Sequence, residues 1–263
     1  MKLKKPKFWD NKKPNIISYI LYPFSKVFEL ITKVKTNNHK KFSNIKTICV
    51  GNIYIGGTGK TSLAIELKKI LDEKNIKSCF VKKFYPDQLD EQNLLKRYGK
   101  VFINSSRVLA LKEAEYENFQ VAIFDDGLQD NNIFYDLTFV CFNKKNLIGN
   151  GFLIPAGPLR QNLNSLERYK NIFLNGNDED VFSIKPLFSK WGKNLKFFEA
   201  EYQPINLKDF DLKNSYIAFS GIGNHSTFID MLNKFKFKII YDFEFPDHYA
   251  YKINDIEKIY LLA

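Results

Sequence analysis

The sequence predicts an α/β fold in which a parallel sheet is covered by helices on both faces. Between residues 46 and 142, short apolar runs rich in β-branched residues alternate with stretches whose apolar residues recur at helical spacing. A glycine-rich loop follows the first apolar run, and a pair of carboxylates follows a later one. Alternating strands and helices favour a parallel sheet, and ligands of such sheets collect at the carboxyl ends of the strands.

The first 45 residues are predicted to form a basic, amphipathic segment that associates with a membrane. Residues 1–46 hold twelve lysines against two acids and carry +10, whereas the other 217 residues carry about +1. One face of a predicted helix in this segment is apolar, and its residues are Ile17, Ile20, Phe24, Val27, Phe28, Ile31 and Val34. An apolar helix face with lysine flanks is typical of a helix lying on an anionic leaflet.

Two alternatives remain for this segment. The helix could pack on the core with a fringe of solvated lysines, or the segment could be a nucleic-acid arm, which would leave its apolar residues without a role. Charged residues and Pro23 interrupt the apolar run, so no window reaches the ~18 apolar residues of a spanning helix. No small-x-small site of a cleavable signal peptide follows. We therefore expect a peripheral protein on an anionic membrane surface, without a nucleic-acid partner.

The glycine loop after the first strand predicts a phosphate site of the P-loop NTPase kind. Its residues are Gly56, Gly57, Thr58, Gly59, Lys60 and Thr61. Glycines let backbone N–H groups turn toward a phosphate, and a helix starting at Lys60 adds partial positive charge. The Lys60 ammonium can reach the β- and γ-phosphates, and the Thr61 hydroxyl can ligate Mg²⁺. The strict pattern has glycine where Tyr54 stands, so a glycine turn that binds nothing is the alternative.

Two adjacent acids, Asp125 and Asp126, end a buried apolar run and precede Gly127. In P-loop enzymes an acid at this place holds Mg²⁺, directly or through water. Neighbouring residues of a strand point to opposite faces, so we expect one carboxylate to face the metal and the other the loop beyond it. A polar turn that serves no ion is the alternative.

The later half predicts a second, smaller α/β lobe at residues 151–263, after a first lobe at residues 46–150. Strand-like runs occur at residues 171–174, 197–202, 216–219 and 237–243. A glycine- and proline-rich loop ends at Arg160, which we expect to contact an anion. The glycine turn at residues 220–224 is interpreted as a second ligand-facing loop, and His248 with the acid before it as a polar or catalytic pair.

The three cysteines each lie in a strand-like apolar run. Their odd number and wide spacing predict buried thiols in a reducing compartment. No CxxC pattern or histidine-rich cluster indicates a structural metal.

These motifs, in this order, resemble the tetraacyldisaccharide 4'-kinases, the lipid A 4'-kinase family of Gram-negative bacteria. The matching pieces span nearly the whole chain and are Pro6-x-Phe8-Trp9, Val50-Gly51-Asn52, Gly56–Thr61, Asp90-Glu91, Asp125–Gln129, Gly149–Gly151, Pro155–Arg160 and Phe245–His248. The resemblance implies an ATP- and Mg²⁺-dependent kinase. It would phosphorylate the 4'-hydroxyl of a tetraacyldisaccharide 1-phosphate to give lipid IVA. It also implies two α/β lobes joined by a hinge, on the cytoplasmic face of the bacterial inner membrane.

The resemblance also implies roles for individual residues. Lys60 would bind phosphate and take part in catalysis, Thr61 would hold Mg²⁺, and Asp90 would take the proton of the sugar hydroxyl with His248 as its partner. The acids implied around the metal and substrate are Glu91, Asp125 and Asp126. The further active-site positions, toward the substrate, are Gln129 and Arg160.

The chain departs from the family's pattern at four places. The family usually has Arg-Gly-Tyr-Gly where Lys83–Pro86 stands, His where Asp130 stands, and Pro where Ser62 stands. The family also continues past Tyr260–Ala263 to a Thr-Glu-Lys-Asp segment. The C-terminal end of the second lobe is therefore expected to be shortened.

Three rival interpretations stay open. A ParA/MinD-like membrane-associated ATPase would share the glycine loop and the anchor, but its signature lysine is replaced by Ile55. A GTPase is hinted at by Asn143–Asn146, where the guanine-reading loop would need a final Asp. A basic membrane- or nucleic-acid-binding protein with an inactive nucleotide site is the third.

Overall fold

The computed structural model describes residues 5–33, 41, 44–86, 88–176 and 181–262. A larger sheet in the first lobe contains β1 (Lys46–Gly51), β2 (Ser78–Lys83), β3 (Val101–Asn104), β4 (Val121–Asp125), β5 (Leu137–Asn143), β6 (Asn171–Asn175) and β7 (Lys196–Ala200). Its helices are α2 (Lys60–Glu73), α3 (Leu89–Lys96), α4 (Arg107–Tyr116), α5 (Leu166–Tyr169) and α6 (Val181–Ser189). Helix α1 (Ile16–Lys33) precedes them.

The seven strands of the first lobe run parallel, as predicted, in the order β3-β2-β4-β1-β5-β6-β7. Strand β1 is central and lies between β4 and β5. Its register pairs Val50 with Asp125. The glycine loop after β1 and the carboxylates after β4 therefore leave the sheet side by side.

Helices cover both faces of this sheet, as predicted. On one face Leu63 of α2 and Leu95 of α3 are buried against the strands. On the other face Leu111 of α4 and Phe188 of α6 fill a second apolar layer. All three cysteines are buried free thiols. The helices thus fix the positions of the strand ends, where the polar residues collect.

The predicted boundary at residue 150 is corrected by the pairing of β6 and β7. Strand β6 pairs with β5, and β7 pairs with β6, so Asn171–Asn175 and Lys196–Ala200 belong to the sheet of the first lobe and not to the second lobe. Ile172 and Leu174 of β6 contribute to the same buried layer as Val140 of β5. The sequence could not show this, because a short apolar run looks the same whichever sheet it joins.

The second lobe is small and lies later in the chain than predicted. Its elements are β8 (Ser215–Ser220), α7 (His225–Lys234), β9 (Lys238–Glu244) and α8 (Ile253–Tyr260). Strands β8 and β9 pair in parallel and form a sheet of their own. The two strand-like runs near residues 216 and 237 are therefore confirmed as strands.

Helix α1 turns three of its polar residues inward. Asn15 Oδ1 accepts a hydrogen bond from the Ser18 N–H at 3.0 Å and so caps the helix. Ser18, Ser25 and Glu29 are buried, whereas most of the large apolar residues are exposed. Val34 and the lysines at 2, 4, 35 and 40 lie outside the described residues. No helix in the described part of the chain is long and apolar enough to cross a bilayer.

Candidate active site

The glycine loop has a folded, internally bonded shape. Asn52, just after β1, donates from Nδ2 to Thr58 Oγ1 at 2.9 Å and to the Gly56 carbonyl at 3.3 Å. Gly59 precedes α2 with φ +78°, a left-handed conformation that favours glycine. Helix α2 begins at Lys60. A phosphate chain can bind here, because the glycine loop, Lys60 and the N-terminus of α2 lie together.

Tyr54 explains the departure from the strict glycine pattern. Its backbone bridges to Leu159, and it does not adopt a positive φ, so glycine is not required there. Its side chain is buried, and its hydroxyl donates to Asp10. Lys5 Nζ lies 3.2 Å from the same hydroxyl and 2.8 Å from Asp10 Oδ1. The described N-terminal residues therefore pack directly on the glycine loop.

Thr61 and Asp125 form a corner that fits Mg²⁺. The Thr61 hydroxyl donates to Asp125 Oδ2 at 3.2 Å. Asp125 is fully buried, and its Oδ1 has no hydrogen-bond partner among the described residues. Among the described residues, we find no group of three or more His, Cys, Asp or Glu side chains that could hold a metal ion. A hydroxyl and one carboxylate match Mg²⁺, which usually takes few protein ligands and completes its shell with phosphates and water.

Asp126 contacts different partners from Asp125. It has φ +60°, so the chain leaves the extended conformation there. Its carboxylate accepts from Arg160 Nη2 at 2.8 Å and from Nη1 at 3.2 Å. Burial by itself would raise the pKa of Asp126, but the charges of Lys60 and Arg160 hold it well below its usual range. Asp126 is thus an ionised carboxylate beside the Lys60 ammonium.

Asp90 and His248 meet across the two lobes. Asp90 lies in the first turn of α3, and His248 follows β9. His248 Nδ1 lies 2.8 Å from Asp90 Oδ2 and 3.0 Å from Oδ1. Although burial opposes both charged forms, their mutual hydrogen bond raises the pKa of His248 and lowers that of Asp90. A carboxylate oriented by an imidazole is suited to accept a proton from a hydroxyl.

A cavity of ≈ 440 Å³ joins these features. It lies between the glycine loop, α3 and the loops of the second lobe. The predicted site residues that line it are Gly56, Gly57, Lys60, Thr61, Asp90, Glu91, Asp126, Arg160 and His248. The glycine turn after β8 lines it too, through Gly221 and Gly223.

Four predicted site residues do not line the cavity. Thr58 and Gly59 form the inner part of the glycine loop, and Asp125 is buried beneath it. Gln129 donates to the Asn52 carbonyl at 2.8 Å, and Arg160 Nη2 reaches the same carbonyl at 3.1 Å. In this structure Gln129 therefore supports the base of the loop.

Several functional candidates were missed at the sequence level. Lys82, at the end of β2, contacts both Asp125 and Glu91. Asn52 organises the glycine loop, and Arg107 donates to the Asp126 carbonyl at 2.5 Å. The sequence did contain a signal for Lys82, because a lysine stands there in a strand whose neighbouring residues are buried. Asn52 belonged to a motif of the resemblance but was given no role, and nothing in the spacing of Arg107 marked it.

Comparisons with known proteins agree with the resemblance. The sequence model of a family described as Tetraacyldisaccharide-1-P 4'-kinase matches residues 17–262. A tetraacyldisaccharide 4'-kinase of Pelagibacter ubique is 56% identical over 263 residues, covering 100% of this chain and 84% of that protein. One from Rickettsia canadensis is 35% identical over 283 residues, with coverage of 100% and 84%.

A solved structure has the same fold. It is described as an "apo" form of LpxK from Aquifex aeolicus in complex with ATP, and it matches with a TM-score of 0.66 at 24% identity. The match covers 90% of this chain and 84% of that one. The fold of this chain is thus one that this solved structure shares.

Proposed function

The chain belongs to the tetraacyldisaccharide-1-phosphate 4'-kinase family, and we propose that it transfers the γ-phosphoryl group of ATP to the 4'-hydroxyl of a tetraacyldisaccharide 1-phosphate. The product would be lipid IVA, an intermediate of lipid A biosynthesis. The single observation that carries the proposal is that the glycine loop with Lys60 and the Asp90–His248 pair line one cavity. Family membership does not favour the ParA/MinD-like alternative.

The residues of this chain have distinct parts in the proposed reaction. Lys60 and the N-terminus of α2 hold the phosphates, and Arg160 keeps Asp126 ionised beside them. Mg²⁺, held by Thr61 and Asp125, would neutralise charge on the β- and γ-phosphates. The 4'-oxygen bonds to the γ-phosphorus while the bond between that phosphorus and the β,γ-bridging oxygen breaks and ADP leaves. Asp90 takes the hydroxyl proton.

Positioning supplies much of such a reaction, because the protein does little covalent chemistry in phosphoryl transfer. The cavity is bounded by both lobes, since Gly57 of the glycine loop and Gly223 of the turn after β8 both line it. A Cβ at Gly223 would come within 2.6 Å of the Gly57 nitrogen. This close approach supports a role for both glycine turns in shaping the space above the phosphates, including the acceptor side.

Labelled ATP, Mg²⁺ and the disaccharide lipid in detergent micelles test the function. We expect label to appear in the lipid. ATP hydrolysis stimulated by vesicles or DNA, without label in the lipid, would contradict the proposal and favour an ATPase or a nucleic-acid-binding protein.

The same proposal includes a peripheral position on the cytoplasmic face of the inner membrane. The support is the outward apolar side of α1, where Ile16, Ile20, Phe24 and Leu30 are each more than 60% exposed. Contiguous apolar surface of this kind marks contact with a membrane or a partner. In the sequence, lysines flank this helix and suit an anionic leaflet, where each would contribute about 1 kcal/mol. The lipid substrate resides in the same bilayer.

A further inference from the structure

Lys82 is a buried lysine at the edge of the proposed site. It lies in β2 and is only 1% exposed. A lysine is almost never fully buried unless it is paired, because removing an ammonium from water is costly. Its surroundings must therefore compensate the charge of the ammonium.

Two carboxylates surround the Lys82 ammonium. Its Nζ lies 2.6 Å from Asp125 Oδ2, and it also donates to Glu91. Burial opposes the charge on Lys82, but the two carboxylates in contact with the ammonium compensate it. The ammonium therefore stays charged and separates two acids that would otherwise repel each other.

The ammonium joins three elements of the fold. Strands β2 and β4 pair so that Val81 lies beside Phe124, which brings Lys82 next to Asp125. Glu91 belongs to the first turn of α3, directly after Asp90. Holding Glu91 against the sheet therefore also holds Asp90, the residue that contacts His248.

The other carboxylate oxygen of Asp125 remains available. Lys82 and Thr61 both contact Oδ2, whereas the buried Oδ1 has no partner among the described residues. One cation beside Thr61 can use Oδ1. A second cation between Asp125 and Glu91 would have to displace the ammonium.

We propose that Lys82 is a positioning residue, an internal counter-cation that fixes α3 with Asp90 at the edge of the glycine loop and keeps divalent metal out of the gap between Asp125 and Glu91. The claim that Lys82 positions Asp90 for catalysis rests on the proposed phosphoryl transfer. The claim that Lys82 excludes metal from the gap depends on neither nucleotide nor lipid.

The electrostatic test is Mn²⁺ binding to the nucleotide-free protein, followed by electron paramagnetic resonance. Lys82→Ala opens the gap and leaves two carboxylates without the cation they share, so we expect Mn²⁺ to bind at least about tenfold tighter than to the wild type. Lys68→Ala is the matched control, because Lys68 is also buried but pairs with Asp72 at 2.5 Å on α2. Equal Mn²⁺ affinity in Lys82→Ala and wild type would overturn the proposal.

The kinetic test uses Glu91→Gln, which keeps the Lys82–Asp125 pair but weakens the link to α3. We expect kcat to fall at least about fivefold while KM for ATP changes less than about threefold, as for loss of positioning. Wild-type kcat in this variant would contradict the positioning role, and the measurement stands even if Lys82→Ala does not fold. Absence of transfer by the wild type would instead remove the proposed function, while the Mn²⁺ result would still decide the role of Lys82 in the gap.

Discussion

The carboxyl edge of the sheet and helix α1 both bury polar residues, but they do so with opposite results. At the sheet edge the buried groups are charged and compensate one another, as Lys82 does with Asp125. In α1 the inward groups include neutral hydroxyls bonded to backbone: Ser25 Oγ donates to the Leu153 carbonyl at 2.7 Å and accepts from the Ala156 N–H at 3.1 Å. The first arrangement directs charge into a cavity, and the second leaves apolar surface outside.

The difference shows that the buried polar groups of a helix or strand decide which of its sides faces the solvent. Each buried polar group needs a partner, so its partner fixes the direction of the whole element. Ser18 accepts from Asn150 Nδ2 at 3.0 Å, and Glu29 Oε1 accepts from Asn162 Nδ2 at 3.2 Å. These contacts turn Ile20 and Phe24 to the surface. Substitutions in the site should therefore lower phosphoryl transfer without affecting membrane binding, and substitutions on the apolar surface of α1 should do the reverse.

The largest effect is expected at the sheet edge. Asp90→Asn removes the proposed base while keeping the shape of the side chain, so kcat should fall roughly 10²- to 10⁴-fold. Lys60→Ala should abolish transfer as well, because the phosphates lose their direct counter-charge. Both are measured with labelled ATP in detergent micelles. Flotation of both variants with vesicles should match the wild type, and wild-type rates in either would refute its assigned role.

The second prediction concerns the exposed apolar side of helix α1. The double variant Ile20→Glu/Phe24→Glu places charge on the outward side of α1, so binding to anionic vesicles should weaken roughly 10²- to 10⁴-fold, from ~1.5–3 kcal/mol lost per apolar side chain. Flotation across salt concentrations measures it. The kcat in micelles should stay close to wild type.

Tyr116→Glu serves as the control for α1, because Tyr116 is 88% exposed at the end of α4. It adds the same kind of charge away from α1. If Tyr116→Glu weakened flotation as much as the double variant, the loss would reflect net charge and not the apolar side of α1.

A third prediction concerns pH and the contact between lobes. The pKa of His248 is raised above 6.5, so its stabilising charge is complete below that pH and is lost as pH rises through the raised value. The pKa of Asp90 is lowered below 3.8, so its contribution is lost only in strong acid. The pair should therefore stabilise the protein most between these limits.

His248→Asn tests this pH dependence, because asparagine tolerates the φ of +56° found at this position but does not titrate. The difference in melting temperature between wild type and His248→Asn should be larger at about pH 5.5 than at about pH 9. A difference that grew toward alkaline pH would contradict the assigned ion pair.

The smallest effect is expected where the N-terminal residues meet the glycine loop. Tyr54→Phe removes the hydroxyl bonded to Asp10, although Lys5 still pairs with Asp10. The free energy of unfolding should fall by about 0.5–1.5 kcal/mol. Urea unfolding with an unchanged m-value measures it, and a stability equal to wild type would show that water replaces the bond.

Much of the candidate site could be predicted because its residues occur in local motifs. The glycine loop, Asp125–Asp126 and Arg160 each follow a recognisable strand or loop, and parallel strands bring such ends to one edge. The assigned roles of these residues remain predictions. The residues alone pointed to His248 with the acid before it, whereas Asp90 and its pairing with His248 came only from the resemblance, since the two are 158 positions apart in the sequence.

The sequence by itself determined the alternation of strands and helices, the charge of the first 46 residues and the position of the glycine loop. These are local properties of composition and spacing. Only the tertiary structure decided that β6 and β7 join the first sheet, that α1 turns its serines inward, and that Lys82 lies between two acids. Each of these depends on partners distant along the chain, and the energy of a buried polar group is set by its partners and not by its neighbours in sequence.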